Sequence, residues 1–220
     1  MKKSDYLKYI NKEIVQDDEI YKVNSDTTIL GMSMDMLKGK NLLDIGCNTG
    51  GLLLYGISKG AKTIYGVDLN EKALELAEIN LKKENCAFKL YHGDVRNLEL
   101  EKVDAIVCNP PFFEMNNVTP NENLRLAMFE ESLPLNDLFD CFRRLMKDSG
   151  EVYMIYPADR FPELYAAALS HKMKIMKMRF VHDDKSEFAL RVVLKLKVGP
   201  MTKVRVLKPI IIRNGEFEID

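Results

Sequence analysis

At 220 residues the chain has room for one domain, or one domain with a small extension, and 46% hydrophobic with 30% charged residues is ordinary for a soluble globular protein. The start, Met1-Lys2-Lys3-Ser4-Asp5-Tyr6, lacks a signal-peptide core, and no apolar run approaches the ~20 residues that span a bilayer, so we expect a cytoplasmic protein with no membrane partner. A net charge of -1 hides an asymmetry, because residues 172–213 hold 12 Lys/Arg against 3 Asp/Glu. That basic stretch could face phosphate, but charge alone favours the solvated face of a sheet.

Short apolar runs alternate with helical patterns. Asn41 to Gly46 reads as a strand and residues 50–59 as a helix. Thr63 to Asp68 is the next strand. Glu71 to Glu84 follows, with Ala73, Leu74, Ala77 and Leu81 at helical spacing and Asn70 as N-cap. Strands are expected at 87–92 and 103–108, a helix at 135–147, a strand at 151–156 and a helix at 162–170. Two longer strands, 174–182 and 189–198, are joined by a short polar loop and predict an antiparallel hairpin at one edge. The alternation predicts a three-layer α/β fold around a mostly parallel sheet of seven strands. Residues 112–133 form a long connection, and loops of that length are usually functional or mobile. Cys47, Cys86, Cys108 and Cys141 are dispersed without a CxxC pair, which suggests a reducing compartment and neither a disulfide framework nor a metal site.

Several strand ends carry candidate ligand groups, on the carboxyl edge where open α/β sheets bind ligands. The first strand runs into Asp44-Ile45-Gly46-Cys47-Asn48-Thr49-Gly50-Gly51, where glycines let the backbone approach a ligand closely. Asp68 ends the second strand, where a carboxylate can take both hydroxyls of a ribose. Asp94 follows the third, placed to meet an adenine amino group. A dinucleotide loop wants G-x-G-x-x-G, but Asn48 stands in the middle position and Asp44 precedes the loop. A carboxylate there disfavours phosphate and favours a cation, which points to the sulfonium of S-adenosylmethionine over NAD. The fourth strand ends in Cys108-Asn109-Pro110-Pro111-Phe112-Phe113. Two prolines stop the strand and free its last carbonyls, and Asn-Pro-Pro-aromatic can hold a planar NH₂ group and clamp the ring behind it.

With these motifs in order over residues 41–198, the chain resembles the class I S-adenosylmethionine-dependent methyltransferases, with their Rossmann-like fold. Within that class it is similar to the bacterial tRNA adenine-N6 methyltransferases that modify the adenosine 3′ of the anticodon in a valine tRNA. Val23 to Gly31, Thr119 to Glu130 and Val204 to Glu216 carry this narrower match. Two departures stand out. Asn48 replaces a usual Gly, and Ala127-Met128-Phe129-Glu130 stands where relatives often read A-R-H-E. Asn tolerates φ > 0 better than most residues.

The resemblance implies a cofactor site of Asp26, Asp44, Gly46, Asn48, Gly50, Asp68, Leu69, Asp94, Val95 and Asn109. It implies catalysis by Asn109, Pro110, Pro111 and Phe112, and substrate RNA contacts from Arg125, Glu130, Lys203, Arg205 and Lys208. It also implies one methyltransferase domain over 1–220, with residues 1–38 covering the cofactor, a catalytic core at 39–200 and a basic tail at 201–220, acting on tRNA as a monomer or weak homodimer. Alternatives are guanine-N2 methylation of rRNA, glutamine methylation of protein, and a degenerate fold that only binds RNA.

Overall fold

The computed structural model describes residues 2–112 and 133–219. The chain opens on a hairpin, β1 (Lys2–Leu7) and β2 (Lys12–Asp17), which forms its own two-stranded sheet. Tyr9 and Asn11 turn it at φ 69° and 49°. Its highly charged sequence did not announce a strand pair. It is held from outside: Asn80 accepts from Val15 N (2.7 Å) and donates to Val15 O (3.0 Å), and Leu7 and Ile14 are buried. Helix α1 (Ser25–Ser33) follows, N-capped by Asn24, whose Oδ1 accepts from Thr27 N at 3.1 Å. Gly31 lets it press on α2, since a Cβ there would lie 2.3 Å from the Tyr55 ring.

The main sheet alternates as expected: β3 (Asn41–Ile45), α2 (Gly51–Ser58), β4 (Thr63–Asp68), α3 (Glu71–Leu81), β5 (Ala87–His92) and β6 (Val103–Cys108). Beyond the long connection come α4 (Leu135–Leu145), β7 (Met146–Pro157), α5 (Phe161–Ser170), β8 (Met173–Asp183) and β9 (Ala189–Val198). Strand β7 starts earlier than its apolar run. Met146 pairs with Val103 and Glu151 with Ala105, so residues 147–150 bulge out of the ladder. Gly150 permits the bulge, where a Cβ would meet Met146 Cγ at 2.3 Å.

Three short strands follow in the tail, β10 (Arg205–Val206), β11 (Ile210–Arg213) and β12 (Glu216–Ile219), and in space the order is β12-β11-β8-β9-β7-β6-β3-β4-β5, with β10 also on β8. The pairs among β3 to β7 are parallel, and β9 lies antiparallel between β7 and β8. The antiparallel pair expected at one edge is present as β8 and β9, but it is not the outermost part of the sheet. The tail strands β10, β11 and β12 extend the sheet beyond it. Their single apolar run, Ile210-Ile211-Ile212, was too short to separate a strand from a tail.

Two apolar clusters sandwich the sheet. Leu42, Ala105, Val107, Ile155 and Val193 pack with α1, α2 and α3 on one face. Leu43, Ile106, Val152 and Leu194 pack with α4 and α5 on the other. Alternate residues of each buried strand thus serve opposite layers, and the strand ends are left to carry ligand chemistry. No described helix is long and apolar enough to cross a membrane.

Candidate active site

The carboxyl ends of β3, β4, β5 and β6 border one cavity. It is lined by Asp44 at the end of β3 with Gly46 and Asn48 after it, Asp68 ending β4 with Leu69 after it, Asp94 and Val95 after β5, and Asn109, Pro110, Pro111 and Phe112 after β6. The structure therefore gathers most of the residues singled out from sequence, although they span the chain from 44 to 112.

The loop after β3 is held by backbone bonds. Gly46 N and Cys47 N both donate to Val67 O, at 2.9 and 3.0 Å, and Gly50 N donates to Cys47 O at 2.8 Å. Asn48 takes φ 49°, in the left-handed region that favours glycine. Its side chain adds what glycine lacks, since Nδ2 donates to Tyr21 O at 2.7 Å. Its backbone N donates to Asp68 Oδ2 at 2.7 Å, and Asn70 N donates to the other oxygen at 2.9 Å. Asp68 is thereby fixed with lone pairs to spare. Burial raises its pKa, and the bonds from Asn70 and Asn48 oppose that rise.

Asp44 is 1% exposed, and neither carboxylate oxygen has a hydrogen-bond partner among the described residues. Burial, and then the charge of Asp68, push its pKa well above the usual carboxylate range. Thr49 Oγ1, Asn48 Oδ1 and Asn109 Oδ1 are likewise buried without a partner there. Buried polar atoms are nearly always satisfied. Orphaned acceptors bordering one cavity fit a ligand that brings a cation and several donors. S-adenosylmethionine meets that description, with its sulfonium, ammonium and ribose hydroxyls.

Asp94 accepts from Arg96 Nε at 3.0 Å on Oδ1 and from Nη2 at 2.6 Å on Oδ2, and Arg96 also reaches Asp137. The Arg96 bonds hold the Asp94 carboxyl below its ordinary pKa. Two other expected cofactor residues stand back from the cavity wall. Gly50 caps α2 at φ 85° against Ala77, and Asp26 Oδ2 accepts from Arg191 Nε at 3.0 Å. Lys203, Arg205 and Lys208 are exposed on the outer edge. Arg205 pairs with Lys177, six residues before the end of β8, or ~20 Å from the carboxyl edge at ~3.3 Å per residue. Arg125 and Glu130 lie outside the described residues.

Sequence reasoning expected residues 1–38 to cover the cofactor but singled out only Asp26 among them. Tyr21, Lys22, Val23 and Thr27 are the residues that line the cavity, from the segment leading into α1 and its first turn. Asn48 holds that segment by the Tyr21 carbonyl, which no side-chain pattern can announce. Among the described residues, no group of three or more His, Cys, Asp or Glu side chains could hold a metal ion.

A family model for the methyltransferase small domain matches residues 20–134. The chain belongs to that family. It is 27% identical over 182 residues to the tRNA1(Val) (adenine(37)-N6)-methyltransferase of Aliivibrio salmonicida, covering 81% of this chain and 78% of the relative. It is 28% identical over 200 residues to the enzyme of the same name in Dyadobacter fermentans, covering 86% and 82%. Among solved structures, the ribosomal protein L11 methylase of Lactobacillus delbrueckii subsp. bulgaricus matches with TM-score 0.61 at 20% identity, over 83% of each chain. A T. thermophilus 16S rRNA N2 methyltransferase, solved with AdoMet and guanosine, matches with TM-score 0.62 at 16% identity, over 90% of this chain and 50% of its own. The fold is that of the S-adenosylmethionine-dependent methyltransferases, and this methyltransferase uses that cofactor class.

Proposed function

We propose that the protein methylates the N6 amino group of an adenosine in tRNA, the one 3′ of the anticodon of a valine tRNA. The observation that carries the chemistry is Asn109 Oδ1, a buried acceptor without a partner among the described residues, at the cavity edge and directly before Pro110-Pro111-Phe112. The relatives' names supply the adenosine and the tRNA.

The N6 lone pair of adenine is delocalised into the ring and is a poor nucleophile. Asn109 Oδ1 and the Pro110 carbonyl each accept one N6 hydrogen. Together they draw the nitrogen toward tetrahedral geometry and stabilise the positive charge that develops on it. Such preorganised acceptors lower a barrier by several kcal/mol, about 3–4 where a single group has been removed. S-adenosylmethionine supplies the methyl group as an electrophile when bound. Asp44 would face its cation and Asp68 would hold its ribose, while the segment from Tyr21 to Thr27 would cover it. Phe112 stacks on the base, an interaction of about 1–3 kcal/mol. The target is unstacked into the pocket, which is easiest in a single-stranded loop. Positioning does much of the remaining work, and an RNA of this kind places that work in the cytoplasm.

The test is to incubate the protein with methyl-labelled S-adenosylmethionine and unmodified tRNA transcripts, digest the RNA and identify the labelled nucleoside. N6-methyladenosine from a valine tRNA is expected. Label in guanosine, or in protein glutamine, would replace this proposal with another substrate. RNA binding without any transfer would leave only a binding protein.

A further inference from the structure

Arg191, at the start of β9, joins the cofactor side of the site to the base side. Its Nε donates to Asp26 Oδ2 at 3.0 Å and its Nη1 to Leu190 O at 3.0 Å. Its guanidinium carbon lies 4.7 Å from the centroid of the Phe112 ring, within cation–π range. Tyr156 meets the same ring edge-on at 6.4 Å, and Arg160 Nη1 donates to Phe112 O at 3.2 Å. Asp26 sits in the first turn of α1, and its side chain is only 9% exposed. Val23, three residues before it, and Thr27, directly after it, line the cofactor cavity, and Val23 N donates to Gln16 Oε1 at 2.7 Å. A path therefore runs from the loop at Asn48 to Tyr21, whose hydroxyl accepts from Asn24 Nδ2 at 2.8 Å, and through the α1 N-cap that Asn24 forms to Asp26, Arg191 and Phe112.

Resting on the function proposed above, we propose that Arg191 is a positioning residue that sets the Phe112 ring as the platform for the target base and couples this setting to the filled cofactor cavity. A ligand in the cavity touches Tyr21, Val23 and Thr27 and so orders the segment that carries Asp26. Asp26 then fixes the guanidinium, and the guanidinium fixes the ring. Because binding free energies are reciprocal, cofactor and RNA each tighten the other.

The test measures affinity for a fluorescently labelled, unmodified tRNA anticodon-arm transcript with and without S-adenosylhomocysteine. In the native protein the nucleoside tightens RNA binding about 5-fold or more, the usual floor of such couplings. In Arg191→Met the tightening falls below about 2-fold, and KM for RNA rises about 3- to 30-fold, as expected when a cation–π interaction is removed. Affinity for S-adenosylhomocysteine without RNA stays within about twofold on the same ground, since Arg191 does not line the cavity. Arg191→Lys recovers part of the coupling, and Asp26→Asn, which keeps the guanidinium but removes the charge that pairs with it, loses it. If Arg191→Met does not fold, the Lys and Asn variants decide alone. Coupling that persists in Asp26→Asn, or is absent from the native protein, overturns the inference. So does a lower KM for RNA in Arg191→Met, because the guanidinium then covers the face that the base needs. Failure of the underlying function looks different: the native protein labels guanosine or protein before any variant is made.

Discussion

Asp44 on β3 and Glu151 on β7 are both buried in the same sheet, 1% and 3% exposed, yet their surroundings differ completely. Glu151 accepts from Lys40 Nζ at 2.6 Å and Tyr153 OH at 2.7 Å, and its other oxygen meets Lys195 Nζ at 2.7 Å. Burial alone would raise its pKa, but the bonds from Lys195, Lys40 and Tyr153 outweigh it and hold the group at about 2. Asp44 has no such partners among the described residues, and burial leaves its pKa well raised. A saturated buried carboxylate belongs to the architecture. An unsatisfied one beside Asn109, Asn48 and Thr49 is a receptor whose partner comes from outside.

The largest effect that separates these regions is catalytic. Asn109→Ala should lower kcat by about 10²–10³-fold or more, the range seen when one preorganised polar group is removed. Its melting temperature should stay close to native, and its cofactor affinity should fall far less than its kcat. If cofactor affinity collapses with activity, Asn109 belongs to the cofactor site and the two half-sites are not separable.

Glu151→Gln should do the reverse. Removing one partner of a buried pair costs about 3–5 kcal/mol, and about 2–3 is expected here because Asp35 still engages Lys195 at 2.7 Å. Denaturant unfolding measures it, with cofactor affinity as the control. The pH profile sharpens the point. With the folded pKa at about 2 and the ordinary value at 4.5, the Glu151 contribution is full above about 4.5 and is lost as pH falls toward 2. That acid limb should flatten in Glu151→Gln, and an unchanged limb would assign acid sensitivity to other carboxylates.

Asp44 has the opposite sign. Its folded pKa is raised, so the free protein retains a proton that the unfolded chain has already lost, and Asp44 opposes folding as pH rises through that window. A bound cation favours the ionised form. Affinity for S-adenosylmethionine should therefore climb with pH, by up to about tenfold per unit, until Asp44 is ionised. Calorimetry in buffers of different ionisation enthalpy should detect the released proton. Asp44→Asn should bind more weakly, with a flat profile; a native-like profile in that variant would place the titration elsewhere.

The smallest effect tests the surface far from both carboxylates. Replacing Lys203, Arg205 and Lys208 together by Ala should lower the salt dependence of tRNA binding, by about 0.7–0.9 in log–log slope for each phosphate that is no longer neutralised. An unchanged slope returns these exposed residues to the solvated face of the tail strands.

Much of the core was legible. Alternating apolar runs placed the strands from β3 to β9, and β9 falls at residues 189–198 as expected from its apolar/Lys alternation. The same periodicity puts Asp44, Asp68, Asp94 and Asn109 at strand ends, because a parallel sheet buries its strands and leaves their carboxyl ends to the loops. The β1–β2 hairpin was not legible, since its strands are polar and the bonds that hold them come from Asn80 on α3. The start of β7 was hidden by the bulge at residues 147–150, which has no apolar signal.

The sequence by itself determined which polar groups stand at the strand ends, because proline, glycine and apolar alternation act within a few residues. Only the tertiary structure decided which of those groups find partners. Glu151 is satisfied because β9 inserts beside β7 and brings Lys195 to it, and Asp26 meets Arg191 across 165 positions of chain. Such pairings leave no period in the sequence, since they depend on which strand lies next to which. That choice is also what leaves Asp44 and Asn109 facing the cavity without partners among the described residues.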